Sequence, residues 1–288
     1  MSNQRQRSNR PSKAKQTRQG RQPKDTHNKK ETQHYHPENT SEPFLEGEIV
    51  FGRHVIMKIF TEAKQVNKLF LQKNLSGPGI QDIIHLAKQQ GVVLVEVPKS
   101  KLDELTNGQN HQGIVATLPA YDYQTLEDCF ELATSRQEDP FFIILDGIED
   151  PHNLGSIIRT AEATGVHGVI IPKRRAVGLT GVVAKTSAGA IEKVPVVRVT
   201  NISQTIENLQ AKGVWVFATA MDGQDMRQWN SKGPIALIIG NEGQGVSSKV
   251  QAKADGTITI PMTGTIQSLN ASVAAGVLMY EVARNRLL

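Results

Sequence analysis

Three glycine-rich segments in the C-terminal half carry hydrogen-bonding side chains that suit a single shared site. They are LDGIEDPHNLGSIIRTAEATG (145–165), IIGNEGQGVS (238–247) and IPMTGTIQSLNASVAAG (260–276). In each segment, polar residues stand where a strand is expected to end and a helix to begin. Asparagine, serine, glutamate and arginine at such points can bind and orient a polar substrate, so we expect one site built from several loops.

The first segment offers Asn153 and Arg159 as candidate site residues. Asn153 is expected to cap a helix whose core-facing residues begin at Leu154. Arg159 lies six residues further on, about 600° of helical rotation, so its side chain can reach past the edge of a sheet. Taken alone, Asn153 could be only an N-cap and Arg159 only a surface arginine. Together with the polar residues of the other two segments, they favour a functional site.

The second segment places Glu242 among three glycines, Gly240, Gly243 and Gly245. Glycines permit positive φ angles and let a ligand approach the backbone closely. Their order matches neither the dinucleotide-binding fingerprint nor a P-loop. A carboxylate buried here would need a partner, which would be Asn153 or Arg159, and the alternative is an exposed glutamate in a turn.

The third segment turns the chain after Pro261 and presents Ser268 and Asn270 just before a helix rich in small residues. Either residue can cap that helix. The functional alternative is that both side chains hydrogen-bond a substrate or a cofactor.

The elements that must position these segments lie in residues 140–288, where apolar runs alternate with helical patterns. Apolar strands separated by helices predict an α/β domain whose parallel sheet is covered on both faces. Ligands of such sheets bind beyond the carboxyl ends of the strands, where all three segments fall. The expected strands are continuous apolar runs, at 141–147, 168–172, 214–220, 235–240 and 257–261.

Two further regions precede this domain. Residues 44–119 predict a small α/β domain, and residues 120–139 predict a linker with one helix. The expected elements of the small domain alternate between apolar strands and amphipathic helices, with strands at 66–72, 92–97 and 111–118 and helices at 80–87 and 101–105.

Residues 1–43 predict a disordered basic tail, because they hold too little apolar surface to offset the conformational entropy of folding. The first 40 residues carry ten Lys or Arg against three acids, a net of +7, whereas the whole chain carries +5, so residues 41–288 carry −2. A basic arm on a near-neutral body suggests an anionic polymer as partner, with RNA favoured, or else a solubilising tail.

Several protein classes are excluded by composition. No apolar stretch reaches the ~18 residues of a membrane span, and the N-terminus lacks the apolar core of a signal peptide. The single cysteine, Cys129, excludes an internal disulfide and is expected to be a buried structural thiol. The histidines lack metal-ligand spacing, so no metal is expected. These features suit a soluble cytoplasmic protein.

Taken in order, the three segments resemble the motifs of the SpoU (TrmH) branch of the SPOUT RNA methyltransferases. The matching residues are DPHNLGSIIRTAEATG, IIGNEGQGVS and IPMTGTIQSLNASVAAG. The KTSAGA run, the leading FGRHVIMKIF and the HQGIVA stretch are similar to the RlmB-type guanosine 2′-O-methyltransferases of large-subunit ribosomal RNA. The resemblance spans residues 45–288 and is strongest over 141–288.

The resemblance implies methyl transfer from S-adenosylmethionine to a ribose 2′-hydroxyl, with a guanosine of large-subunit ribosomal RNA as the expected target. It also implies a trefoil knot in the C-terminal domain, a ribosomal-protein-L30-like RNA-binding module in residues 44–119, and a symmetric homodimer. The alternatives are a tRNA ribose 2′-O-methyltransferase and a non-catalytic RNA-binding ribosome-assembly factor of the same fold.

Roles for the acceptor side of the site follow from the same resemblance. Arg159 would assist deprotonation of the 2′-hydroxyl or stabilise the emerging alkoxide. Asn153 would orient the ribose or the arginine, and Glu242 would brace these side chains. Ser268 and Asn270 would shape the acceptor pocket.

The donor side is implied to rest on backbone groups at the ends of the strands. S-adenosylmethionine would lie near Gly240, Ile260 and Leu269, with Thr219 and Ala220 at a neighbouring strand end. The reaction would need no metal, because the leaving group departs neutral. Holding donor and acceptor in line would lower the barrier by several kcal/mol.

Overall fold

Two β-sheets organise residues 49–265 and 268–287, which are the residues that the computed structural model describes. All of these residues belong to one compact unit of the chain. The basic tail expected over residues 1–43 lies outside the described residues.

The first sheet has four strands in the order β1-β4-β2-β3. Strands β2 and β3 are parallel, and β4 is antiparallel to both of its neighbours. Strand β1, which the sequence did not predict, pairs with β4. The strands are β1 (Ile49–Phe51), β2 (Lys68–Gln72), β3 (Val93–Val97) and β4 (Ile114–Thr117), and the helices are α1 (Arg53–Thr61), α2 (Ile80–Gln89) and α3 (Lys99–Leu105).

The second sheet has six parallel strands in the order β10-β8-β9-β5-β6-β7. The strands are β5 (Phe141–Asp146), β6 (Gly168–Pro172), β7 (Val196–Val199), β8 (Trp215–Asp225), β9 (Ile235–Gly240) and β10 (Gly256–Thr259). The helices are α4 (Leu126–Arg136), α5 (Pro151–Ala163), α6 (Gly181–Thr186), α7 (Ile202–Ala211), α8 (Ser248–Gln251) and α9 (Ala271–Leu287). The predicted parallel α/β sheet is therefore confirmed.

Burial on both faces explains the continuous apolar runs of the central strands. In β5, Phe141, Ile143 and Leu145 face a core that includes α5 and α9, whereas Phe142 and Ile144 face a core that includes α4 and α7. Side chains alternate between the two faces of a strand, so a strand covered by helices on both sides needs an apolar residue at every position.

The segment expected to be a linker packs against the second sheet. The amide of Ala120 donates to the carbonyl of Leu179, and the amide of Gln124 donates to that of Val196. Helix α4 buries Cys129 completely. Burial raises the pKa of this thiol to about 12, which makes it a structural group rather than a nucleophile.

Arg198 on β7 ties the two sheets together. Its guanidinium donates to the carbonyls of Val66, Asn67 and Lys173, at 3.2, 2.8 and 3.3 Å. It also lies over the ring of Tyr123, with 5.3 Å from Cζ to the ring centroid. Burial lowers the pKa of Arg198. The hydrogen bonds of the Arg198 guanidinium to neutral carbonyls fix how the first sheet meets the ends of β6 and β7.

Replacing Arg198 with alanine is expected to lower the free energy of unfolding by about 3 kcal/mol, because several part-buried carbonyls lose their donor. Urea denaturation followed by circular dichroism measures this change. Arg174→Ala is the matched control, since Arg174 is exposed and is expected to change stability by less than about 0.5 kcal/mol. Equal stability of the two variants would contradict this account of the junction.

Candidate active site

The first two polar segments meet at the carboxyl edge of the second sheet. Strands β5 and β9 are parallel neighbours, and their register places Asp146 opposite Gly240. The loop before α5 and the loop after β9 therefore leave the sheet side by side, as expected for a site at the strand ends.

Asn153 lies in the first turn of α5 and not at its cap. Asp150 is the N-cap, and its carboxylate accepts the amide of His152 at 2.8 Å, with Pro151 at the first helical position. The prediction that Asn153 caps this helix was therefore wrong. Because Asp150 satisfies the helix end, the buried Asn153 side chain is free to bond elsewhere.

Glu242 joins all three segments through one oxygen. Its Oε1 accepts Nδ2 of Asn153 at 2.7 Å, Nδ2 of Asn270 at 3.1 Å and the amide of Ala271 at 3.2 Å. The sequence predicted that the partner of Glu242 would be Asn153 or Arg159, and in the structure it is Asn153. We call Asn153, Glu242 and Asn270 the amide–carboxylate cluster.

Asn270 both caps a helix and belongs to the cluster. Its Oδ1 accepts the amides of Ser272 and Val273 at 3.0 and 3.3 Å, which makes it the N-cap of α9. Its Nδ2 donates to Oδ1 of Asn153 at 3.0 Å as well as to Glu242. The two interpretations of Asn270 were thus not exclusive, because an amide can cap with its oxygen and bond the cluster with its nitrogen.

The carboxyl of Glu242 is held in its charged form. The hydrogen bond from its own backbone amide is the main reason that its pKa is lowered, and the donors Ala271 and Asn153 act in the same direction, although partial burial opposes them. A carboxylate with a lowered pKa is a poor proton acceptor near neutral pH. Glu242 therefore suits orienting its donors better than removing a proton.

Two further side chains shape these loops, and the sequence analysis did not single them out. Oδ1 of Asn241 accepts the amides of Gly243 and Gln244, at 3.0 and 2.7 Å. Oδ2 of Asp146 accepts the amide and the hydroxyl of Ser247, at 2.9 and 2.6 Å. The available signal was their position, since each lies at the very end of an apolar strand, where Asn and Asp stabilise turns.

Gly240 is required by the way this loop folds back. A Cβ atom at this position would collide with the backbone of Gly245 and Val246. Gly240 is therefore needed for close packing of the chain on itself, next to the proposed donor site.

Within the described residues, Arg159 and Ser268 make no hydrogen bond to the amide–carboxylate cluster. Arg159 is exposed on α5, and no hydrogen bond or ion pair joins it to the described part of its own chain. Helix α5 packs against α9, where Gly276 lies next to Thr160. Ser268 is exposed at the end of the loop that precedes Asn270.

Four of the five residues expected near the donor lie on or directly after the adjacent strands β10, β8 and β9. Pairing of β8 with β10 jumps from Ala218–Thr257 to Gln224–Ile258, so residues 219–223 form a bulge within β8 that includes Thr219 and Ala220. Gly240 is the last residue of β9, Ile260 directly follows β10, and Leu269 directly precedes Asn270, the N-cap of α9. Thr219, Ala220, Ile260 and Leu269 are all half-buried.

The charge of these segments is anionic. Residues 219–223 and 240–245 contribute Asp222 and Glu242, and residues 260–265 contribute no charged group. Met221 and Met262 add exposed apolar surface, at 66% and 39% exposure. A ligand with positive charge and an apolar ring system fits this chemistry.

The described residues offer neither a metal centre nor a membrane-spanning helix. Within residues 49–265 and 268–287, no group of three His, Cys, Asp or Glu side chains is placed to hold a metal ion. In the same part of the chain, no helix is long and apolar enough to span a membrane.

Comparison with known proteins assigns both parts of the chain. A model of the SpoU rRNA methylase family matches residues 140–280, and a model described as RNA 2′-O ribose methyltransferase substrate binding matches residues 49–124. A protein of Bacillus subtilis (strain 168), YacO, named for the TrmH family of tRNA/rRNA methyltransferases, is 49% identical over 82% of this chain and 95% of its own length. The chain therefore belongs to the SpoU (TrmH) family of RNA methyltransferases.

Solved structures agree with this assignment. An AdoMet-bound rRNA methyltransferase from Sinorhizobium meliloti is 25% identical, covers 84% of this chain and 88% of its own, and has a TM-score of 0.51. The SpoU methyltransferase AviRb from Streptomyces viridochromogenes, in complex with AdoMet, is 25% identical over 84% of this chain and 91% of its own, also with a TM-score of 0.51.

Proposed function

We propose that this protein transfers a methyl group from S-adenosylmethionine to the 2′-hydroxyl of a ribose, with a guanosine of large-subunit ribosomal RNA as its target. The amide–carboxylate cluster carries this proposal, because it joins all three family motifs through one carboxylate oxygen at the carboxyl edge of the sheet. The 2′-O specificity is further supported by the substrate-binding model that matches residues 49–124.

The residues of the donor side fit S-adenosylmethionine, which carries a positive sulfonium, an amino group and an adenine ring. The segments around Thr219, Gly240 and Ile260 bring two carboxylates and exposed methionine side chains, without a cation among their described residues. S-adenosylmethionine supplies an electrophilic methyl group when bound. The protein's part is to hold the donor so that this methyl group faces the acceptor.

The acceptor chemistry requires a group that makes the hydroxyl oxygen more nucleophilic. Glu242 is unsuited to take the proton, because its pKa is lowered. Its proposed task is to fix the amides of Asn153 and Asn270, which in turn orient the ribose. Arg159 is the proposed stabiliser of the developing alkoxide, because a guanidinium stays protonated near neutral pH and cannot take the proton itself. The proton of the 2′-hydroxyl would pass by way of an RNA phosphate oxygen to water as the oxygen takes the methyl group.

A symmetric homodimer would bring Arg159 into reach of the cluster. Helix α9 has a face that the described residues of the subunit leave uncovered, with Val273 50% and Tyr280 66% exposed. These two residues are seven apart and share one face of the helix, which suits packing against a second copy. Arg159 lies on the neighbouring helix α5. We therefore propose that Arg159 of the partner subunit completes each site. We also propose that the C-terminal domain contains a trefoil knot, that residues 44–119 form an L30-like RNA-binding module, and that the protein is cytoplasmic.

Methyl transfer to unmodified RNA tests the proposed function. We expect the full chain to transfer labelled methyl from S-adenosylmethionine to an in vitro transcript of large-subunit ribosomal RNA, and mapping of modified riboses to locate one guanosine. An unmodified tRNA pool is the competing substrate, since the Bacillus subtilis relative is named for both RNA classes. Methylation of tRNA alone would overturn the ribosomal target. Absence of any S-adenosylmethionine binding by calorimetry would instead favour a non-catalytic assembly factor.

A further inference from the structure

A cleft between the two sheets is lined by cations and by no acid among the residues that the structure describes. It has a volume of 390 Å³, and its charged residues are Lys88 from α2 and Lys173 and Arg174 from the loop after β6. Arg175 follows directly and is exposed. We call Lys88, Lys173, Arg174 and Arg175 the basic cleft.

These cations are not neutralised within the described part of the chain. No ion pair joins any member of the basic cleft to another described residue, whereas other exposed lysines, such as Lys193, Lys212 and Lys253, are paired with glutamates. The concentration is local, because residues 41–288 together carry a net charge of −2. Unpaired like charges held side by side repel one another, so an anionic partner would stabilise this arrangement.

The cleft is built into the fold. Nζ of Lys173 donates to the carbonyl of Gln90 at 3.2 Å, and its backbone carbonyl accepts from the buried Arg198. Gly91 makes room for this lysine, because a Cβ atom there would lie 2.7 Å from Nζ. The pKa of Lys173 is lowered, first by burial and then by the charge of Arg198. The position of the basic cleft is thus fixed by contacts of both domains.

The basic cleft shares an edge with the amide–carboxylate cluster. Strand order β9-β5-β6 and the pairs Asp146–Gly240 and Ile144–Ile170 place Lys173 at the same carboxyl edge as Glu242. Strands β9 and β6, which these two residues follow, lie two strand spacings apart, which is about 10 Å. A nucleic acid chain whose ribose lies at the cluster would therefore extend its backbone over the basic cleft.

We infer that the basic cleft binds the phosphate backbone of the RNA substrate, within a few nucleotides of the ribose that is methylated. This inference rests on the proposed function for the identity of the anion. Phosphates are bound by Lys and Arg without regard to sequence, so the cleft contributes affinity and register while the cluster selects the reacting ribose.

The test compares two triple variants with the same loss of charge. Lys88→Gln, Arg174→Gln and Arg175→Gln remove three cations from the cleft and spare Lys173, which has structural contacts. The control changes three exposed cations near the opposite, amino edge of the same sheet, which are Arg136→Gln, Lys212→Gln and Lys232→Gln. The probe is the in vitro transcript of large-subunit ribosomal RNA.

We expect the cleft variant to bind the transcript at least about 10-fold more weakly than the control near 0.1 M salt. Its plot of log affinity against log salt is expected to be less steep by about 2, the loss due to three phosphate contacts at about 0.7 each. Affinity for S-adenosylmethionine is expected to stay unchanged in both variants, which shows that the fold is intact.

The outcomes separate this inference from the proposed function. If the wild-type protein methylates RNA while cleft and control variants bind it equally, the inference is wrong and the function stands. If the cleft variant binds more weakly but with the control's salt dependence, the contacts are not phosphates and the inference is also wrong. If the wild-type protein binds RNA through the cleft but transfers no methyl group, the proposed function fails and the cleft remains an RNA surface.

Discussion

Replacing Glu242 with alanine is expected to lower the rate of methyl transfer about 100-fold or more while changing stability little. Oε1 of Glu242 is the common acceptor of Asn153, Asn270 and the amide of Ala271. Without this oxygen, three donors from two segments lose the acceptor that sets their spacing. A displacement of about 1 Å in an active site can lower the reaction rate about 100-fold. The carboxylate is largely exposed, so water can satisfy the donors and the fold survives.

Single-turnover methyl transfer, with RNA and S-adenosylmethionine both saturating, measures this loss. Gln244→Ala is the matched control, because Gln244 lies in the same loop and its side chain makes no hydrogen bond within the described residues. Glu242→Gln keeps an oxygen at the acceptor position, and we expect it to lose only about 10-fold, since a neutral acceptor makes weaker hydrogen bonds. A Glu242→Ala rate within twofold of the control would exclude the cluster from the reaction.

The pH dependence distinguishes a positioning role for Glu242 from a role as base. Its pKa is lowered, so its stabilising contacts are fully present above its ordinary value of 4.5 and are lost only as the pH falls through the lower, folded value. From about pH 6 to about pH 9 it does not titrate. We therefore expect Glu242→Gln to lower the rate without changing the shape of the pH profile in this range. A limb of the profile that vanished in this variant would identify Glu242 as the base.

The sequence predicted the second sheet better than the first, because the strands of the second sheet can be recognised from local sequence patterns. Each central strand is an uninterrupted apolar run, and the run 235–240 coincides with β9. Strand β1 escaped prediction because its three residues are only half-buried and are held by β4, 63 or more residues away. Strand β8 was expected to end at 220, yet it continues to Asp225 and pairs with β10 again after a bulge that no local pattern predicts.

The site could be predicted by residue but not by contact. Asparagine, glutamate and serine after apolar strands indicated where polar groups gather, and Asn153, Glu242 and Asn270 do meet. Which residue caps α5 depended on the geometry of Asp150 and Pro151, where both Asp150 and Asn153 are good capping residues. Arg198 gave no sign of its role, because an arginine within an apolar strand can pair with many distant groups.

Replacing Arg159 with alanine is expected to lower methyl transfer at least about 100-fold without a measurable loss of stability. Arg159 is exposed, and no hydrogen bond or ion pair joins it to the described part of its own chain. In the proposed dimer its guanidinium stabilises the developing alkoxide, a contribution of this size for one well-placed donor. Arg159→Lys keeps the charge but loses the planar fork, so we expect partial activity. Arg136→Ala, also an exposed helical arginine, is the control and is expected to be fully active.

Mixing two inactive variants tests whether each site takes its arginine from the other subunit. Arg159→Ala and Glu242→Ala subunits, co-expressed with different tags, would form mixed dimers in about half of the molecules. Each mixed dimer holds one site with Glu242 intact and with an intact Arg159 of the partner subunit, so about a quarter of the wild-type activity is expected to return. Sites completed within one subunit would regain none, because every site in the mixture would then lack one of the two residues. Recovery of activity would thus establish both the dimer and the contribution of Arg159 to the site of the other subunit. The exposed position of Arg159 on α5 is the observation behind this expectation.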